Sequence, residues 1–166
     1  GSNGWIQIAN FVVTGLMVIA FAVGLRRELD PGRGARWAPR LIGVYGVSLI
    51  AAGLFRADPA LGFPVGAPEQ PAAISWQGML HFASGGIGFT CLAIACFILG
   101  SRYSTEGRRA WATFCRLTGV VFLAGFAMVA SSGGNQAANL AFVAAIILVW
   151  TWMSCVAVDR YRGVSR

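Results

Sequence analysis

MLHFASGGIGFTCLAIACFILG, Met79–Gly100, runs for 22 residues without an aspartate, glutamate, lysine or arginine. At a rise of about 1.5 Å per residue, a helix of that length matches the ~30 Å hydrocarbon core of a bilayer. Four more runs are long and mostly apolar: Trp5–Leu25, Ala38–Phe55, Ala110–Ala130 and Ala137–Val158, with one arginine each in Ala38–Phe55 and Ala110–Ala130. They are about twice as long as barrel strands and do not alternate, so helices rather than strands are expected. Little chain is left for a separate soluble domain. The expected fold is all-α, a multi-pass transmembrane helical bundle of five spans (5–25, 38–55, 79–100, 110–130, 137–158) forming one domain over residues 1–166.

Composition agrees. Of 166 residues, 57% are hydrophobic and 11% are charged, whereas soluble domains carry about 25% charged residues. Mean hydropathy is +0.66. The first run is too long, and its flank too uncharged, for a signal peptide. A net charge of +7 in such a chain marks topology and gives no support to nucleic-acid binding.

The arginines set the expected orientation. Eleven fall on one side of five alternating helices, in the segments 26–40, 101–109 and 160–166. Arg56 stands alone on the other side, and Arg116 lies near the arginine-rich end of the fourth span. The positive-inside rule then puts the start of the chain outside the cytoplasm and its tail inside. Trp5 and Trp76 are expected at the outer interface, and Trp37, Trp111 and Tyr161 at the inner one. Trp150 and Trp152 lie deeper and suit packing between helices.

The four cysteines fall in the middle or inner parts of the spans, with no CxxC spacing, and suit buried thiols. Gly43, Gly46, Gly88, Gly119 and Gly125 suit close helix packing, which in lipid depends on small residues.

Polar residues gather near the outer ends of all five spans. Gln7 and Asn10 lie in the first, Arg56 and Asp58 follow the second, and His81 opens the third. Ser131 and Ser132 end the fourth; Asn135, Gln136 and Asn139 open the fifth. Polar groups in lipid are costly and face the bundle interior, a partner or water. The expectation is a polar outer vestibule under the 56–78 loop, stiffened by Pro59, Pro64, Pro68 and Pro71. The ligand-binding candidates are Arg56, Asp58, His81, Asn10, Trp76 and Asn139. The plainer reading, helix caps, fits Ser131, Ser132, Asn135 and Gln136 best. His81 is the sole histidine, which argues against a histidine-rich metal centre. No metal or other cofactor is expected.

GWIQIANFVVTG, GLFRADPALGFP and SWQGMLHFASGGIGF together resemble the domain of unknown function 998 family of bacterial membrane proteins. The resemblance covers nearly the whole chain and implies an inner-membrane protein, usually of six helices, with no assigned activity. Relatives typically carry one more hydrophobic helix ahead of the segment matching GWIQIANF. The expectation is therefore either a sequence that begins after that helix or a member that lacks it.

Three functions compete. The preferred one binds or helps to transport a lipid or small molecule, with Arg56 holding an anionic head group and His81 and Asn10 giving hydrogen bonds. The second is an intramembrane enzyme using His81 and Asp58 as acid and base. The third is a structural or assembly subunit. The bilayer is the one partner expected in every case; the oligomeric state is open.

Overall fold

A computed structural model describes residues 4–29, 31–60, 65–68, 73–132 and 135–164. Five helices follow one another: α1 (Gly4–Leu29), α2 (Trp37–Leu54), α3 (Trp76–Thr105), α4 (Arg109–Ser131) and α5 (Gln136–Val164). All five are long and apolar enough to span a membrane. Each of the predicted spans is therefore a helix. α1, α3 and α5 outrun their predicted spans at the arginine-rich end, to Leu29, Thr105 and Val164. Hydropathy marks where the hydrocarbon stops. Helical hydrogen bonding continues beyond it, carrying arginines at headgroup depth.

The helix ends follow local chemistry. Pro39 is tolerated in the first turn of α2, where its missing N–H has no helical partner to lose. α3 opens on Ser75, whose hydroxyl accepts from the Gly78 N–H at 3.0 Å. α5 opens on Asn135, whose side-chain oxygen accepts from the Ala138 N–H at 2.9 Å. Both satisfy an orphan donor of a first turn. α3 closes on Gly107, at φ +74°. The Arg108 N–H reaches the Tyr103 carbonyl at 2.9 Å, and the Gly107 N–H reaches that of Ser104 at 3.1 Å. This left-handed cap turns the chain at once into α4.

Neighbours in sequence pack as neighbours in space, from α1 against α2 through to α4 against α5; α1 and α5 barely touch. The α1–α2 contact is backbone on backbone. A Cβ on Gly15 would lie 2.6 Å from the Gly46 carbonyl oxygen, and one on Gly46 would lie 2.8 Å from that of Gly15. A Cβ on Gly88 of α3 would collide with the Ser48 hydroxyl of α2. These glycines set interhelix distance, as the small-residue pattern predicts.

The bundle is uneven along its axis. Its arginine-rich half encloses Trp152, Tyr103, Leu29, Ile42, Leu99 and Val156, all fully buried. Trp152 donates its indole N–H to Cys115 Sγ at 3.2 Å. Cys91 and Cys155 are half-buried, Cys96 and Cys115 are buried, and all four are free thiols. The arginine-poor half is hollow.

Candidate functional site

His81 sits in the second turn of α3. Its Nδ1 lies 2.8 Å from the Ala52 carbonyl and 3.0 Å from that of Phe55. Two carbonyl acceptors require Nδ1 to carry the hydrogen. The imidazole thereby caps the C-terminus of α2, where helical carbonyls lack partners. Its ring meets Phe11 and Phe82 edge-on, with centroids 6.3 and 5.8 Å away.

Asp58 makes the reciprocal tie. Leaving α2, the chain turns extended at Phe55, and the Asp58 carboxylate accepts from the Ser75 N–H at 2.9 Å. It thus lies at the positive end of the α3 dipole. Hydrogen bonds from the Ser75 side chain and backbone hold the Asp58 carboxyl below the usual carboxylate range. Asp58 also abuts Gly78, where any Cβ would displace it. A residue of α3 therefore caps α2, and a residue four beyond the end of α2 ties down the start of α3. Among the described residues no hydrogen bond joins His81 to Asp58; each is committed to the other's helix end.

Beneath this clasp lies a cavity of about 1190 Å³ with walls from all five helices. Its floor is aromatic: Tyr45, Phe89, Phe126, Phe142 and Trp150. Phe89 meets Phe126 and Phe142 edge-on at 5.1 and 5.3 Å, and Tyr45 lies 6.4 Å from Trp150. Its polar groups come chiefly from the arginine-poor end: Asn10 and Thr14 of α1, Asp58, His81, and Asn139 of α5. Ser48 lies deeper, its hydroxyl donating to the Tyr45 carbonyl at 2.7 Å. Such a space suits a molecule that is mostly apolar with one polar end.

Of the six residues expected to form a site, Asn10, Asp58, His81 and Asn139 line this cavity. Arg56 and Trp76 share that end of the bundle but do not line it. Arg56 is exposed. Trp76 is 62% exposed and packs edge-on against Phe55 at 6.3 Å. The chain turns outward after Phe55, carrying Arg56 away from the interior, and Trp76 is the first residue of α3, above the cavity wall. Of the prolines expected to stiffen a cover, Pro59 and Pro68 are described; Pro64 and Pro71 lie outside the described residues. Ser131 and Ser132 turn their hydroxyls onto the Met128 and Val129 carbonyls of the last turn of α4, at 3.3 and 3.4 Å.

At the opposite end sits a polar assembly that span and loop positions alone did not disclose. Glu106 accepts two hydrogen bonds from Arg160, at 3.0 and 2.9 Å, and one from Arg102 at 2.8 Å. Arg102 also donates to the Leu29 and Arg33 carbonyls at 2.9 and 3.1 Å, capping α1. Asp159 accepts from the Tyr103 hydroxyl at 2.8 Å and from both terminal nitrogens of Arg108. Arg160 lies 4.2 Å over the Tyr103 ring, which stacks on Trp111 at 5.3 Å. Burial would raise the Glu106 carboxyl, but the Arg160 and Arg102 guanidiniums outweigh it and hold it below the usual carboxylate range. The legible signal was the i,i+4 spacing of Arg102 and Glu106. The pairing of Arg108 with Asp159 spans 51 residues and has no local signature.

No curated protein and no solved structure is significantly similar to this chain. Residues 1–159 match the family described as protein of unknown function DUF998. With nearly all of its length in that match, and with five membrane-length helices, the chain belongs to the DUF998 family of membrane proteins.

Proposed function

We propose that this protein binds a membrane amphiphile in its arginine-poor half, as a carrier, sensor or transporter component. On this reading the arginine-poor end is extracytoplasmic and the protein sits in a cell membrane, as the positive-inside pattern supports. The observation that carries the proposal is the cavity of about 1190 Å³, aromatic below and polar above, between the five helices. Lipid-facing helices gain nothing from enclosing such a space, because interiors otherwise pack densely. An occupant with an apolar body would fill it and restore the lost contacts.

Gly85 offers the test. It lines the cavity, and a Cβ there meets only Phe89, at 3.5 and 3.9 Å, which is ordinary contact. Gly85→Phe should fill the space from a wall that tolerates it. Native mass spectrometry of the purified protein should show a co-purifying amphiphile that Gly85→Phe lacks. Equal occupancy of both proteins, or none on either, would sink the proposal.

A structural role has one observation in its favour. His81 and Asp58 are both spent on helix caps, which is what a purely architectural polar cluster would do. The same commitments weigh against their acting together as an acid–base pair, since no hydrogen bond joins them among the described residues.

A further inference from the structure

The polar end of the cavity has a sign, and it is the reverse of the one expected when Arg56 was counted in the site. Resting on the amphiphile-binding reading above, we infer that the ligand's head group donates hydrogen bonds and carries no negative charge, as a hydroxyl or an ammonium does.

Among the described residues lining the cavity, Asp58 has the one formal charge, and no arginine is present. Arg56, the sole cation of the 56–78 loop, is exposed and outside the lining. An anionic head group would thus sit beside a carboxylate with no counter-charge on the lining among the described residues. Like-charge repulsion disfavours that arrangement, even with solvent screening it.

The local hydrogen-bonding capacity agrees. Asp58 accepts from the Ser75 N–H at Oδ2 and from the Ser75 side chain, and a carboxylate has further lone pairs with which to accept. His81 donates from Nδ1 to the α2 carbonyls. In the neutral imidazole its Nε2 is then an acceptor. Two acceptors on one rim call for a donor. The Asn10 amide, also on the lining, serves either kind and does not reverse the preference. The Phe11 and Phe82 rings beside His81 present aromatic surface of the kind that favours a cation over an anion.

Three probes with the same sixteen-carbon tail separate the cases: hexadecylamine, hexadecanol and palmitate. Each is measured by equilibrium binding of the tritiated compound to the protein in nanodiscs, with Gly85→Phe protein as the background. The amine and the alcohol should bind above background, and palmitate should bind about tenfold more weakly than either, or more weakly still. Asp58→Asn should erase the amine's advantage over the alcohol while both still bind. Arg56→Gln should leave the ranking unchanged. Palmitate binding as tightly as the alcohol would overturn the inference and leave the binding site standing; so would loss of palmitate binding in Arg56→Gln. An amine-to-alcohol ratio unchanged by Asp58→Asn would overturn it as well. If none of the three exceeds the Gly85→Phe background, the binding reading falls together with the inference.

Discussion

The two ends of the bundle spend their polar residues in opposite ways. At the arginine-rich end, Glu106 and Asp159 are fully engaged by Arg102, Arg160, Arg108 and Tyr103. The core behind them, from Leu29 to Trp152, is closed. At the arginine-poor end, His81 and Asp58 tie α2 to α3 and leave acceptor atoms facing a large space. One half has the character of an anchor and the other that of a receptacle. A chain with a single function for its polar groups, holding helices together, would have no reason to differ so much between its ends.

The contrast is open to direct attack. Its largest expected effect is in packing. Trp152→Ala should cost about 3–5 kcal/mol, because it empties a closed core. Phe142→Ala, on the cavity wall, should cost less than half of that, since the space beside it is already open. Equal shifts in detergent unfolding of the two variants would erase the distinction between the halves.

Next comes the ion network. Asp159→Asn leaves Arg108 facing a neutral amide beside the Tyr103 ring. The side chain of Asp159 is 13% exposed but that of Arg108 is 37% exposed, so solvent screens the pair and a loss of about 1–2 kcal/mol is expected. A variant as stable as the parent would show that the network is ornamental.

The network also makes stability depend on pH. The Glu106 carboxyl is depressed in the folded protein. Its contribution is therefore complete above its unfolded value, about 4.3, and fades as pH falls through the lower, folded one. Unfolding midpoints should drop on acidification below about pH 4.5, and Glu106→Gln should flatten that slope. An unchanged slope in the variant would assign the acid sensitivity elsewhere.

At the other end, His81→Ala removes the donor shared by two α2 carbonyls and should cost about 1 kcal/mol. A loss as large as that of Asp159→Asn would make the arginine-poor end an anchor too. The smallest effect is that of Gly85→Phe. Its side chain enters open space, so thermal stability should hold within about 0.5 kcal/mol even as ligand occupancy is lost.

Much of this was legible in advance. The five helices follow from apolar length, since only helices and closed barrels satisfy a backbone in lipid and the runs are too long for barrel strands. Asn135 could be read as a cap because capping is local chemistry. The gathering of Asn10, Asp58, His81 and Asn139 at one end followed from depth along each span. What depth could not supply was direction. Arg56 and Asp58 are two residues apart, yet one carboxylate turns in toward Ser75 and the guanidinium turns out. Likewise Arg108 and Arg160 read as topology markers until Asp159 and Glu106 were found against them.

Hydrophobic length, arginine spacing and helix-end residues thus determined a five-helix membrane bundle with polar groups collected at one end, because each of these is a property of a single segment in a known solvent. Only the packed bundle decided that one half closes, that the other holds an open cavity, and that the lining described there carries a carboxylate without a cation. Those depend on which faces of separate helices meet, and that pairing is a contest among contacts tens of residues apart.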